Sequence, residues 1–377
     1  MTLKTIQTAR LVWKDLKTCP SELHLDTLKC GQSFRWRQTK DLWSCVLQGK
    51  LCVLRQTGST VFYGVQPEDD EHQVKQLDTL LRDYFQLDRV SLQSCYKRWS
   101  DLDANFKAKA IHFAGIRMLR QDPWENLVSF ICSSNNNIPR ISQMVQKLCV
   151  HYGSPICVVD DIVHHDFPSI QALANDGVEE NLRQLGFGYR AKYIAQTAKQ
   201  IMQKQGQEQW LWNLRETSYT EAKAALVELA GVGPKVADCV CLMSLDHAEA
   251  IPVDTHVWQI ALRDYGFKNK GGKTLTSKLY DQVADHFRQV FGDYSGWAHS
   301  VLFTADLRAF EDRIPKTKVK EENTSIKLEQ QDDTLQVIET QQTIDKQQDG
   351  EGRKRKRDAT LPASRTVRRS TRIKHNT

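Results

Sequence analysis

This chain of 377 residues has no Cys-x-x-Cys pair, no cysteine after Cys241 and no aromatic residue after Arg313. Without such a pair, its ten scattered cysteines read as reduced, mostly buried thiols of an intracellular protein. No apolar run approaches the roughly 20 residues of a membrane helix. An apolar signal-peptide core is also missing from the N-terminus. Net charge is missing from most of the chain. Residues 313–377 carry 16 Lys and Arg against 10 Asp and Glu, which accounts for the whole formal charge of +6 and leaves residues 1–312 neutral. Any nucleic-acid binding by residues 1–312 therefore rests on local arrangement and helix ends, not on a bulk positive field.

What is present falls into three stretches. Residues 1–106 form a β-rich N-terminal part, in which 44–47, 51–54 and 61–63 are short β-prone runs separated by Gln48-Gly49-Lys50 and Thr57-Gly58-Ser59. An antiparallel sheet is expected there, followed from Glu71 by a helical period through Val74, Leu77, Leu81 and Phe85. Residues 107–312 are a helical core, with helices expected at 107–120, 123–133, 138–152, 190–204, 220–230, 234–245, 255–264, 274–291 and 296–309. Residues 313–377 have the composition of a disordered basic tail, because they cannot bury enough apolar surface to offset the entropy of ordering. The fold class is thus α+β. Within the tail, Arg353-Lys354-Arg355-Lys356-Arg357 has the character of a nuclear-import signal. Lys4, Arg10 and Lys14, with no acid before residue 15, are compatible with a mitochondrial transit segment.

The most specific pattern is Leu226–Cys241, an apolar helix, a Gly231-Val232-Gly233 turn and a second apolar helix opening on Pro234. Glycines permit the tight turn, and proline suits a first helical position, where its missing N–H costs nothing. Free backbone N–H groups at such a helix start form an anion site suited to a phosphate. Lys235 stands at that start, and Asp254 follows 19 residues later. This pattern, spanning 220–245, resembles the helix-hairpin-helix DNA glycosylase superfamily. Together with Gly31-Gln32-Ser33-Phe34-Arg35-Trp36, Ser133-Ser134-Asn135-Asn136-Asn137-Ile138 and Gly188-Tyr189-Arg190-Ala191, it resembles the eukaryotic 8-oxoguanine DNA glycosylase/AP lyases. The iron–sulfur cysteine cluster of some helix-hairpin-helix relatives is missing.

The resemblance implies roles. Lys235 becomes a nucleophile that forms a Schiff base with the deoxyribose, and β-elimination follows. Asp254 becomes the carboxylate that stabilises positive charge on the sugar, although a plain N-cap would look the same in sequence. Gly31 matches the glycine whose carbonyl accepts the N7 hydrogen of 8-oxoguanine. Cys239 and Phe303 match the pair that sandwiches the extruded base, positions that core packing would also explain. Asp306 matches a pocket carboxylate or a surface ion-pair residue. Asn135, Arg140 and Arg190 match readers of the orphaned cytosine, and Tyr189 the inserted wedge. Gly231, Gly233 and His256 match DNA-backbone contacts. No organic cofactor and no side-chain metal ligands are implied, and a metal cation held by the hairpin carbonyls beside a phosphate stays open. The implied partners are duplex DNA carrying 8-oxoguanine opposite cytosine and downstream repair enzymes, with the protein acting as a monomer, away from membranes and in the nucleus.

At one position the chain departs from that family: His299 stands where the family has a Gln that reads the Watson–Crick edge. A neutral imidazole offers one donor and one acceptor, fewer than an amide. With an ordinary pKa near 6.5, it would change charge between about pH 5.5 and 7.5, lower if buried and higher beside an acid such as Asp306, unless the ring swings out of the pocket. Energetics limit the Gly31 contact as well. One hydrogen bond and its mispairing penalty give about 2–4 kcal/mol, or 30- to 1000-fold, too little against ~10⁶–10⁹ competing sites. Selectivity therefore needs several successive checkpoints. Two rival readings are a monofunctional glycosylase for alkylated bases, which would use water and not Lys235, and a non-enzymatic DNA-binding scaffold.

Overall fold

The computed structural model describes residues 3–268 and 276–314. The tail and its basic run lie outside these residues, apart from Arg313 and Ile314.

The N-terminal part is a five-stranded antiparallel sheet in the order β2-β6-β5-β4-β3, formed by β2 (Val12–Asp15), β3 (Arg37–Thr39), β4 (Leu42–Leu47), β5 (Lys50–Gln56) and β6 (Val61–Val65). β4 and β5 join through Gln48 and Gly49, both at positive φ (49° and 72°), the backbone of a two-residue hairpin whose twist matches its strands. Alternate residues Trp43, Cys45 and Leu47 of β4 are buried. They join a core cluster with Leu77, Leu81, Tyr84 and Phe85 from α1 (Glu71–Tyr84) and its C-cap. A reciprocal capping box of Asp70 and Gln73 starts that helix.

A second sheet was not legible in the sequence. β1 (Lys4–Ile6) pairs in parallel with β7 (Pro155–Val159), and β8 (Ile162–His165) pairs antiparallel with β7. Thr8 closes the junction by bonding Asp160 through both its N–H and its hydroxyl. Residues 4–15 thus supply strands to both sheets, and removing them as a transit segment would take out both β1 and β2.

Helices α2 (Leu92–Leu102), α3 (Ala104–Ala110), α4 (Pro123–Ile131) and α5 (Ile138–Tyr152) precede β7. After β8 come α6 (Ile170–Ala174), α7 (Val178–Gln184), α8 (Arg190–Met202), α9 (Glu208–Asn213), α10 (Tyr219–Val227), α11 (Pro234–Ser244), α12 (Thr255–Asp264), α13 (Ser277–Phe291) and α14 (Ser295–Asp306). They enclose one large apolar cluster. Most expected helices are present, but the one expected at 107–120 stops at Ala110. The reason is tertiary. Gly115, at φ +77°, passes so close to the N-terminal part that a Cβ there would lie 2.1 Å from the Pro20 carbonyl oxygen. Fully buried Arg117 then donates to the carbonyls of Glu22, Phe85, Gln86 and Val90, satisfying groups that a helix would leave unpaired. Gln32 binds the same stretch, donating to the Arg117 carbonyl and accepting from the Leu119 N–H, which fixes the neighbouring Gly31.

Candidate active site

The hairpin comes first. Leu229 N–H turns back to the Leu226 carbonyl beyond α10, and Gly231 follows at φ +73°. A Cβ on Gly231 would lie 2.4 Å from the Tyr193 ring, so both the conformation and the space demand glycine. Gly233 is the N-cap of α11, with open space where its side chain would be, and Pro234 opens the helix. Among the described residues, the Gly231 and Gly233 N–H groups donate no internal hydrogen bond. They remain available to an anion at the positive end of α11.

Lys235 follows at that end, half-buried. Its Nζ donates to Ser133 Oγ at 3.1 Å and lies 5.1 Å from the centre of the Phe130 ring. The Ser133 hydroxyl proton is committed to the Phe130 carbonyl at 2.7 Å, so Ser133 acts as an acceptor toward the amine. One turn along the same face lies Cys239, only 2 % exposed. Burial pushes its thiol up to about 12, opposed by the charge of Lys235 and reinforced by that of Asp254. The amine and the carboxylate thus act on the same buried sulfur. Asp254 is also the N-cap of α12, its Oδ1 accepting from Val257 N–H at 3.0 Å. The cap holds the carboxylate in place, so the structural and catalytic roles are compatible.

On α14, His299 and Phe303 are one turn apart with near-parallel rings, centroids 6.5 Å apart. Gly31, at φ +82°, faces Phe303: a Cβ there would lie 3.4 Å from that ring and 3.3 Å from Ile138. His299 is 5 % exposed, and neither ring nitrogen has a hydrogen-bond partner. Burial pulls its pKa down to about 4, with Asp254 opposing. The expected titration between about pH 5.5 and 7.5 is therefore displaced downward, and the ring is neutral at physiological pH.

Asp306 engages Arg263 at 2.8 Å and His256 at 3.6 Å, and His256 packs edge-on to Phe303 at 5.8 Å. Burial alone would raise the Asp306 pKa, but His256 and Arg263 outweigh it and lower it. The Asp306 carboxylate in turn raises that of His256.

The Asn-rich loop lies beside Lys235. Arg190, 4 % exposed, donates Nε to the Ser134 carbonyl at 3.1 Å and Nη2 to the carbonyls of Ser134 and Asn135. The Tyr189 hydroxyl also donates to the Ser134 carbonyl, while its ring is 43 % exposed. Asn135 takes φ +44°, a conformation that asparagine tolerates better than most residues. The Arg140 side chain is exposed at the start of α5. Sequence reasoning passed over Ser133 as the amine's partner. It also passed over Asp238, a fully buried acid in α11 whose only signal was a charge inside an apolar helix.

Residues 16–127 match the family described as 8-oxoguanine DNA glycosylase, N-terminal domain. Residues 128–285 match the HhH-GPD superfamily of base excision DNA repair proteins. The chain is 40% identical to the N-glycosylase/DNA lyase OGG1 of Arabidopsis thaliana over 336 residues, covering 87% of each chain. The chain belongs to the 8-oxoguanine DNA glycosylase/lyase family. This glycosylase/lyase is also 36% identical to the N-glycosylase/DNA lyase of Saccharomyces cerevisiae over 325 residues, covering 76% of this chain and 84% of that one. Its fold superposes on the 8-oxoguanine glycosylase/lyase of Clostridium acetobutylicum, solved with double-stranded DNA containing cytosine opposite 8-oxoguanine. That match has a TM-score of 0.66 and 28% identity, and covers 78% of this chain and 93% of that one. The protein is an enzyme of base-excision repair, a DNA N-glycosylase and AP-site lyase, which sets aside the reading as a non-catalytic scaffold. Among the described residues no helix is long and apolar enough to cross a membrane.

Proposed function

We propose that this glycosylase/lyase excises 8-oxoguanine paired with cytosine, using Lys235 as nucleophile. The observation that carries the reading is the Lys235 amine, hydrogen-bonded to Ser133 at the hairpin helix start and sharing the Cys239 environment with Asp254. In its neutral form the amine attacks C1′ of the extruded nucleotide. The C1′–N9 bond breaks, and its electron pair leaves with the base, which takes up a proton. Loss of the amine proton and opening of the sugar ring give the Schiff base. The imine acidifies the C2′ hydrogen, and its removal expels the 3′ phosphate by β-elimination. The Asp254 carboxylate stabilises the positive charge that develops on the sugar.

The base would lie between Cys239 and Phe303, with N7–H donating to the Gly31 carbonyl and His299 facing its edge. Two unsatisfied nitrogens on a buried imidazole support that placement, because such groups are costly without a partner. Arg140, Arg190 and Asn135 would read the orphaned cytosine, and Tyr189 would fill the gap in the stack. The relative from Clostridium acetobutylicum, solved on DNA with that pairing, supports the choice of opposite base. The N–H groups of Gly231 and Gly233, with His256, would hold phosphates. The enzyme acts as a monomer in the nucleus, directed by the basic run at 353–357, and passes its nicked product to downstream repair enzymes.

Borohydride trapping on duplexes carrying 8-oxoguanine opposite each base tests the mechanism. Wild-type protein is expected to cross-link most with cytosine opposite, and Lys235→Gln to lose the cross-link while still binding lesion DNA. Trapping of the variant at wild-type yield would overturn Lys235 as nucleophile.

A further inference from the structure

Asp254 sits at the end of a stretch without regular structure, residues 250–254, that links the turn after α11 to α12. A cap fixes a side chain only as well as the backbone that delivers it. At one end of this stretch, α14 approaches so closely that a Cβ on Gly296 would lie 2.5 Å from the Ala250 carbonyl oxygen. At the other end, next to Asp254, the backbone is held by a side chain from α13. Val253 N–H donates to the Tyr280 hydroxyl at 3.2 Å. Pro252 has no N–H to contribute, so the Val253 N–H is the last backbone donor before Asp254.

The Tyr280 hydroxyl is itself held. It lies 2.5 Å from Asp238 Oδ2 and 3.4 Å from the Ile251 carbonyl, so its proton goes to the carboxylate and its lone pair is left for Val253. Asp238, wholly buried, also accepts from Tyr219 at 2.6 Å and Lys223 at 2.9 Å. It lies one turn after Lys235 in the same helix and immediately before Cys239. A fixed chain therefore runs from the Lys235 helix through the Asp238 carboxylate and the Tyr280 hydroxyl to the backbone next to Asp254. Burying a charge inside α11 is costly. The same node supplies the acceptor for the buried Val253 N–H, so it also fixes the backbone that delivers Asp254.

We propose that Tyr280, held by Asp238, is a positioning residue that sets the Asp254 carboxylate relative to Lys235. The inference rests on the reading of Asp254 as the carboxylate that stabilises the reacting sugar. Tyr280→Phe removes the hydroxyl but keeps the ring volume. Small misplacements of a reacting group are costly, so single-turnover excision is expected to fall about ten-fold with lesion-DNA affinity unchanged. The loss should vanish when Asp254→Asn is already present, because the hydroxyl then has no carboxylate to place. Lys223→Met takes another partner from Asp238 without touching Val253. It is expected to lower Tm and leave excision near the wild-type rate. If Tyr280→Phe does not fold, fluorotyrosine at 280, a weaker acceptor of nearly the same volume, allows the same comparison.

Wild-type excision by the Tyr280 variant would overturn the proposal, as would an equal ten-fold loss in the Asp254→Asn background or from Lys223→Met. Those results leave Asp254 in the mechanism as long as Asp254→Asn alone is slow. Wild-type excision by Asp254→Asn would instead remove Asp254 from the reaction, and this proposal with it.

Discussion

His299 is a buried imidazole with neither ring nitrogen hydrogen-bonded. Its folded pKa of about 4 lies below the ordinary 6.5. In that interval the unfolded chain binds a proton that the folded chain excludes, so stability rises with pH and is lost as pH falls from 6.5 toward 4. Across the interval the term is about 3 kcal/mol. Denaturant melts from pH 4 to pH 7 should therefore be shallower in pH for His299→Gln than for the wild type. Excision from pH 5.5 to 7.5 should show no histidine titration that His299→Gln removes, and the variant should keep its activity. A wild-type titration near pH 6.5 that disappears in the variant would mean that the ring is solvated in the working enzyme.

The loop at 133–137 is the element that meets both Lys235 and Arg190. Ser133 holds the Lys235 amine, and the next two carbonyls, of Ser134 and Asn135, are held by Arg190. The two arginines proposed as cytosine readers should therefore behave differently. Arg140 is exposed at the start of α5, and Arg140→Ala should only narrow the preference for cytosine over adenine opposite the lesion, by about 1–3 kcal/mol. Arg190→Ala should narrow it too, but also slow excision opposite every base, because the loop that seats Lys235 loses its brace. Rates measured for both variants against both opposite bases separate the effects. Identical rate patterns would show that Arg190 does not brace the loop.

For the molecule as a whole, the last described residues are tied back to the N-terminal part. Arg313 pairs with Asp26 near the N-terminus and lies 5.0 Å from the centre of the Phe310 ring. Burial opposes ionisation of Asp26, but His24, Lys29 and Arg313 together hold its carboxyl well below the usual range. A chain ending at Ile314 should excise 8-oxoguanine from short duplexes at the full rate and lose nuclear accumulation. A chain ending at Asp312 should keep the rate but melt lower. The pair is partly exposed and Asp26 keeps its other partners, so the loss is about 1 kcal/mol, roughly 2 °C in Tm. Equal melting temperatures would mean that Arg313 adds nothing to the fold.

The sequence by itself determined the local elements and the family they belong to. Glycine and proline at 231–234 dictate the hairpin, because few residues can take its backbone angles. Apolar periodicity dictates α11, α12 and α14, and the β4–β5 hairpin follows from alternation and a turn glycine. The helix-start positions of Lys235 and Asp254 were legible because each lies in a spaced pattern of turn residues and apolar helices. Tertiary structure decided what depends on distant partners. β1 pairs with β7 across some 150 residues, a register that no local pattern encodes. The helix expected at 107–120 stops at Ala110, and at Gly115 another backbone occupies the space a Cβ would need. His299 is neutral because of what buries it, and Ser133 and Tyr280 meet Lys235 and Asp238 of α11 only once the chain has folded. Burial and long-range hydrogen bonding are properties of the packed molecule, and one residue's identity carries little of either.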